Sequence, residues 1–229
     1  MTELRDLDTH AFANELRAHG GAAAITWDPE RRTAVASADW LAPLAAWIAA
    51  DDRDMHEHEG VFFGVGPQTG ALFGAFVHST VRGQAAGGLR HWPYARVESF
   101  VRDGLRLALG MSRKIALAGL WWGGGKGIIA RQDDVDFRDL GYRKQLYREY
   151  GAFTTSLRGA YITAEDVGTG PVDMAAVFET TRHVTCIPPT VGGSGNPSHP
   201  TAKGVVCAMQ AALDHLGRGT LAGKTIAMQ

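Results

Sequence analysis

The sequence has few cysteines, no long apolar run and almost no net charge. Its 229 residues include only Cys186 and Cys207, so a disulfide framework is excluded and a reducing compartment, the cytoplasm, is expected. No stretch approaches the ~18 consecutive apolar residues that read as a membrane span. A formal net charge of -1 provides no chain-wide positive field for nucleic acid or anionic lipid. These deficits favour a cytoplasmic globular protein that binds neither nucleic acid nor membrane.

Several common catalytic motifs are also missing. No serine occupies a G-x-S-x-G elbow, and neither cysteine has the spacing of a zinc site. The alternation of His56 and His58 with glutamates lacks a third ligand, so we expect a solvated turn and assign no metal. The segment before Lys126 fails as a phosphate loop, because Leu120 stands where that motif needs glycine and Gly127 where it needs a hydroxyl.

Glycine, in contrast, is abundant and concentrated in one region. The 29 glycines are about 13% of the chain, against an ordinary share of about 7%. Fifteen of them fall between Gly60 and Gly127, and three in a row precede Lys126. Runs of this kind allow a ligand or another strand to approach the backbone closely, whereas the alternative is a flexible turn with a solvated lysine.

The hydrophobic pattern predicts alternating helices and strands, and therefore an α/β fold. The initial antiparallel hairpin makes the expected sheet mixed. We expect a C-terminal buried strand over residues 223–229. The predicted helices cover residues 8–20, 38–50, 97–110, 137–157, 171–180 and 201–216, and the predicted strands cover residues 61–65, 71–80, 115–120, 127–130 and 161–163.

Two lysines and a carboxylate pair are the candidate chemical groups. Lys114 lies twelve residues before Lys126, between a predicted helix and strand. Glu165 and Asp166 follow a predicted strand, where α/β folds tend to present chemistry, although capping of the next helix is an alternative role. A third glycine-rich stretch, residues 192–201, enters the last predicted helix.

Together these segments resemble the N-terminal domain of the glutamate/leucine/phenylalanine/valine dehydrogenase family, most closely its leucine dehydrogenases. The resemblance runs from about Phe62 to Gln229 and departs from the family at Trp121 and Trp122. It implies a three-layer α/β domain with a mixed, mostly parallel sheet. The segments that carry it are residues 87–90, 105–114, 116–126, 163–169 and 195–204.

The resemblance implies reversible NAD(P)-dependent oxidative deamination of an L-amino acid to its 2-oxo acid. Lys114 would then hold the substrate carboxylate, Lys126 would activate water as a base, and Asp166 would move protons to and from the amine. A dry pocket with Lys114 nearby would depress the pKa of Lys126 enough for that role. The backbone at Gly87 and Gly88 would approach the substrate.

The resemblance also implies substrate preference. Relatives specific for glutamate carry a lysine where this chain has Ala86, so an apolar or aromatic substrate is expected, in a pocket also lined by Met111 and Ala164. Thr185 and Thr201 would face the nicotinamide of the cofactor.

The expected organisation has three parts. Residues 1–55 form an N-terminal helical extension, residues 56–222 a substrate and dimerisation domain, and residues 223–229 the first strand of a truncated Rossmann domain. No G-x-G-x-x-G turn follows, so NAD or NADP is expected to bind only with a nucleotide domain supplied. A homo-oligomer is expected, because the resemblance is to a domain that carries the family's oligomer contacts and because the hairpin at residues 61–80 leaves a strand edge to pair. The alternative is a non-catalytic relic or oligomerisation module.

Overall fold

In the computed structural model, which describes residues 3–228, one seven-stranded sheet organises the chain. Its strands are β1 (Ala22–Asp28), β2 (Thr33–Ala36), β3 (Gly60–Val65), β4 (Leu72–Ser79), β5 (Ala85–Trp92), β6 (Gly123–Ala130) and β7 (Tyr161–Glu165). They are ordered β2-β1-β3-β4-β6-β5-β7. The helices are α1 (Thr9–Ala18), α2 (Ala42–Ala49), α3 (Val97–Leu117), α4 (Leu140–Ser156), α5 (Pro171–Phe178) and α6 (Ser198–His215).

Helices cover both faces of the sheet, which confirms the three-layer α/β class. Helices α1, α2 and α3 bury Leu16, Ile48 and Phe100 against one face. Helices α4 and α5 bury Tyr150 and Val177 against the other. The direction of the strands differs from the expectation, because four of the six pairings among the described strands are antiparallel. The two parallel pairings join β5 to β6 and β5 to β7.

The N-terminal segment is part of this sheet. Its two predicted helices are present as α1 and α2, but the hairpin β1–β2 between them escaped prediction, and β1 pairs with β3. The β3–β4 hairpin is confirmed. However, β1 and β6 cover both of its outer edges, so its strands leave no edge for a second copy. The free-edge argument for a homo-oligomer is therefore wrong.

Helix α3 and the C-terminal residues also differ from the predictions. Helix α3 continues past Gly110 to Leu117, so residues 115–117 are helical and Lys114 lies in its last turns. Glycine is tolerated here because both neighbouring turns are anchored by buried side chains such as Leu105 and Ile115. Residues 223–228 form no strand, since none of the described strands pairs with them, and Gln229 lies outside the described residues.

No helix within residues 3–228 is long and apolar enough to cross a membrane. Both cysteines are free. His58, expected in a solvated turn, is instead buried, and residues 3–228 contain no group of three potential ligands able to hold a metal ion. His58 accepts the His56 N–H at Nδ1 and donates from Nε2 to the Leu105 carbonyl. Both ring nitrogens are therefore used by the neutral form.

Because His58 is buried in its neutral form, we expect the folded state to lose stability in acid. Burial lowers the pKa of His58 to about 4 from an ordinary value near 6.5. Its stabilising contribution is complete above pH 6.5 and is lost as the pH falls towards 4, because the unfolded chain binds the proton first. At pH 5 the loss is about 2 kcal/mol for this group. We expect the difference in unfolding free energy between pH 7 and pH 5, measured with urea, to shrink by that amount in His58→Gln.

His215→Gln provides the control, because it makes the same exchange at an exposed position on the surface of α6. An unchanged pH dependence in His58→Gln would contradict the assignment of a buried neutral imidazole.

Candidate functional site

A cavity of about 710 Å³ lies beside the three parallel strands, under the C-terminal half of α3. Strands β5, β6 and β7, the residues after β7 and the start of α6 complete its wall. The structure thus brings together all ten residues that the sequence indicated, although their roles remain proposals. These residues are Ala86, Gly87, Gly88, Met111, Lys114, Lys126, Ala164, Asp166, Thr185 and Thr201.

Lys126 is the buried cation of this cavity. Its residue is only 4% exposed, and its Nζ donates to Asp166 Oδ2 at 2.7 Å. Burial lowers the pKa of Lys126, the nearby Arg90 lowers it further, and Asp166 opposes both. The direction agrees with the expectation, but the neighbouring cation that contributes is Arg90, where the sequence argument named Lys114. Lys114 itself lies at the exposed mouth of the cavity.

Asp166 is held in its ionised form. Burial alone would raise the pKa of this carboxyl, but Lys126 and Arg90 outweigh burial and lower the pKa. Its backbone N–H donates to Thr169 Oγ1 at 2.9 Å, and that hydroxyl lies within hydrogen-bond distance of the Leu89 carbonyl. The turn after β7 is therefore fixed to β5. The sequence pattern predicted that Asp166 follows the end of a strand, and the structure places it one residue beyond β7.

Glu165 has a different environment from its neighbour. It is half-buried in the same cavity wall, and burial together with the charge of Asp173 raises its pKa. Its Oε2 is buried and has no hydrogen-bond partner within the described part of the chain. Helix-entry capping, the alternative role considered for this pair, belongs instead to Asp173, which accepts the Gly170 N–H at the start of α5.

The glycines before Lys126 belong to a strand and not to a loop. Residues 123–130 form β6, and all of them are buried. A Cβ at Gly124 would lie 2.1 Å from Ser112 Oγ and 2.6 Å from the Ala108 carbonyl oxygen. A Cβ at Gly87 would lie 1.8 Å from the Gly125 carbonyl oxygen. The missing side chains therefore let α3 and β5 pack directly on β6, which sets the width of the cavity.

Apolar side chains line the remaining wall of the cavity. They come from β5, α3 and the turn after it, and β7 and the turn after it, and only part of this set was expected from the sequence. Trp122, which departs from the family pattern, is 40% exposed and lines the cavity, whereas Trp121 is 78% exposed and stacks under Arg82. The apolar members are Ala86, Met111, Ile115, Ala118, Leu120, Trp122, Ile162, Ala164 and Val167.

Thr185 and Thr201 lie on the side of the cavity beyond β7. The N–H of Thr185 donates to the Thr163 carbonyl at 2.8 Å, which extends the sheet edge past β7. Thr201 is in the first turn of α6, behind a turn in which Asn196 Oδ1 accepts the Ser198 N–H. These hydroxyls offer contacts for one end of a ligand.

Arg90 is the charged residue that sequence reasoning did not assign. It lies on β5 two residues after Gly88, so both are on the same face of the strand. Its Nε donates to Asp166 Oδ2 at 3.1 Å and its Nη1 to Asp103 on α3 at 2.9 Å. The signal available in the sequence was the strand period of two residues, which places Arg90 on the same face as Gly88 within the segment 87–90.

The close contact at Gly124 generates a prediction about how the site is built. Gly124→Ala should lower the free energy of unfolding by about 2 kcal/mol or more, because α3 must move away from β6. Gly110→Ala is the matched control, since a Cβ at this helical position meets nothing within 4 Å and should stabilise the chain by roughly 0.5–1 kcal/mol. Urea unfolding of both variants measures the difference. Equal effects would contradict the packing described.

Comparison with known proteins places this arrangement in a family. Residues 71–183 match the family profile described as Glu/Leu/Phe/Val dehydrogenase, dimerisation domain. The leucine dehydrogenase of Bacillus subtilis is 41% identical over 177 residues, which are 77% of this chain and 47% of that protein. The phenylalanine dehydrogenase of Lysinibacillus sphaericus is 38% identical over 173 residues, 75% of this chain and 44% of that protein. The chain therefore spans about half the length of these relatives.

Solved structures agree with the sequence comparison. The L-tryptophan dehydrogenase of Nostoc punctiforme has a TM-score of 0.54 and 30% identity, over 71% of this chain and 43% of that one. A glutamate dehydrogenase of Thermus thermophilus, at 23% identity and a TM-score of 0.55 over 65% of this chain and 37% of that one, shares the fold. By these matches residues 71–183 belong to the Glu/Leu/Phe/Val dehydrogenase family, as its dimerisation domain.

Proposed function

We propose that this chain is the substrate-binding part of an amino-acid dehydrogenase that converts an apolar or aromatic L-amino acid to its 2-oxo acid. The main support for the proposal is the ion pair between the buried Lys126 and Asp166, in a cavity that Lys114 also lines. Leucine, phenylalanine and tryptophan dehydrogenases among the compared proteins support this substrate class.

Lys114 is suited to hold the substrate carboxylate, because it carries a flexible ammonium at the mouth of the cavity. The side chain of the substrate would then lie against the apolar wall formed by residues such as Ala86, Met111 and Ala164. No basic residue replaces the lysine of glutamate-specific relatives at Ala86, so a second carboxylate on the substrate would lack a partner there.

Lys126 and Asp166 are suited to proton transfer. Once the α-carbon has lost its hydride and become an imine carbon, Lys126, with its lowered pKa, can act as the base that removes a proton from the water that adds to it. Loss of ammonia from that adduct would give the 2-oxo acid. Asp166 stays ionised beside it and can accept a proton from the amine of the substrate. Gly87 and Gly88 bring the backbone of β5 close to the reacting atoms. Bound NAD or NADP would supply the hydride acceptor.

The residues of this chain fit only one end of such a cofactor. Thr185 and Thr201 offer hydroxyls at the cavity edge, while no G-x-G-x-x-G sequence is present for the pyrophosphate. We therefore propose that NAD(P) binding requires a nucleotide domain in addition to these residues.

We also propose that the protein is cytoplasmic, because its two cysteines are free and a reducing compartment suits free cysteines.

The substrate half of the proposal predicts binding without any cofactor. Isothermal titration of the chain with 4-methyl-2-oxopentanoate should show binding that weakens at least tenfold, or about 1.4 kcal/mol, in Lys114→Gln. Lys144→Gln is the control, because Lys144 pairs with Glu179 outside the cavity lining. 2-Oxoglutarate should bind more weakly than the apolar acid. Equal affinity of wild type and Lys114→Gln would contradict the role of Lys114.

We also propose that the chain self-associates, since residues 71–183 match a dimerisation domain. Sedimentation equilibrium over a roughly hundredfold range of chain concentration should reveal, at its upper end, a mass above the 24.5 kDa of one chain. A single species at that mass throughout would contradict this proposal.

A further inference from the structure

Arg90 connects the candidate site to helix α3 through a row of alternating charges. Asp103 on α3 accepts from Arg90 Nη1, Arg90 Nε donates to Asp166, and Asp166 accepts from Lys126. Tyr94 adds a hydrogen bond of 2.6 Å from its hydroxyl to Asp103 Oδ2. The row therefore links α3, β5, the turn after β7 and β6. Each side chain of Arg90, Asp103 and Asp166 is about a quarter exposed.

The two oxygens of Asp166 have unequal roles in this row. Both Lys126 Nζ and Arg90 Nε donate to Oδ2, at 2.7 and 3.1 Å. Oδ1 accepts no hydrogen bond from any residue between positions 3 and 228. Because two cations converge on one oxygen, the carboxylate cannot rotate without losing a charge-assisted bond. The free oxygen is then the one with which Asp166 can meet a ligand in the cavity.

We propose that Arg90 is a positioning residue of this site, which fixes Asp166 Oδ2 against Lys126 and leaves Oδ1 to receive the proton of the substrate amine. This inference rests on the proposed function for the role of Oδ1. The two hydrogen bonds that Arg90 and Lys126 donate to Asp166 Oδ2, called the clamp below, are independent of the proposed function.

Arg90 acts on Lys126 through charge as well as through geometry. The charged groups around Lys126 are Asp166, Arg90 and Asp103, with Lys114 and Glu165 on the same cavity wall. Arg90 disfavours the ammonium form of Lys126, whereas Asp103 favours it. Neutralising either partner of the Arg90–Asp103 pair must therefore move the titration of Lys126, and the two changes must move it in opposite directions.

NMR titration of the lysine ε-CH2 groups in the 229-residue chain tests this inference directly. The chain has five lysines, and the Lys126 resonance is identified by its loss in Lys126→Arg. Arg90→Gln should shift the Lys126 midpoint to higher pH and Asp103→Asn should shift it to lower pH. Arg90→Lys retains the charge and should restore the midpoint towards wild type, although one ammonium cannot reproduce both hydrogen bonds of the guanidinium.

Arg102→Gln is the matched control. Like Arg90, Arg102 is an ion-paired and mostly buried arginine, with a side chain 17% exposed. It lies on α3, however, and contacts Asp51, Asp54 and Glu98 outside the cavity. It should leave the Lys126 midpoint unchanged. If Arg90→Gln does not fold, Arg90→Lys and Asp103→Asn decide the question.

A Lys126 midpoint that ignores Arg90→Gln, or that moves in the same direction in Arg90→Gln and Asp103→Asn, would overturn the inference. The titration uses no ligand, so its outcome is independent of the 2-oxo acid titration. If the wild-type chain bound no 2-oxo acid but the Lys126 midpoint shifted as expected in the variants, the proposed function would be contradicted and the clamp would be supported.

Discussion

The ammonium group of Lys126, buried inside a β-sheet, is the constraint on which the site depends. A buried and unpaired charge costs several kcal/mol, so Lys126 requires a carboxylate at hydrogen-bond distance. Asp166 meets that requirement from the turn after β7, two strands away from β6. The strand order β6-β5-β7 brings these two residues together, because only β5 lies between β6 and β7. Strand β5 also carries Arg90.

Close packing around Lys126 depends on residues without side chains. Gly124 lets α3 approach β6, and Gly87 lets β5 approach the Gly125 carbonyl. The same helix carries Lys114 and Met111 into the cavity and Asp103 to Arg90. The glycine-rich segments thus determine how far α3 stands from the sheet, and the position of α3 determines the dimensions of the cavity.

Local patterns predicted much of this arrangement, and long-range pairing explains what they missed. Helical periodicity located α1, α4 and α5 to within a few residues. By contrast, β5 carries the consecutive glycines Gly87 and Gly88, which remove the apolar alternation by which strands are recognised. Strands β1 and β2 are short and only partly buried, so their pattern was also weak. The expectation of a mostly parallel sheet failed because the N-terminal strands extend it with antiparallel pairings.

The candidate site was predicted more completely than the sheet, because family motifs mark its residues individually. Every residue indicated for the substrate or the cofactor lines one cavity. The motifs did not indicate how charge is balanced there. Arg90 was visible only as part of a glycine motif, and its contacts with Asp103 and Asp166 join positions 13 and 76 residues away. Such contacts follow from the fold and are not encoded in local spacing.

We propose that Lys126 and Asp166 are the proton-transfer groups of an amino-acid dehydrogenase. The most direct measurement joins a nucleotide domain from a family member after Gln229 and follows NADH formation from L-leucine or L-phenylalanine by absorbance. We expect turnover by the fusion, none by the isolated chain, and a loss of at least a hundredfold in Lys126→Ala, in line with general acid–base catalysis worth about 10²–10⁴. A fusion that turns over equally well with Lys126→Ala would contradict it.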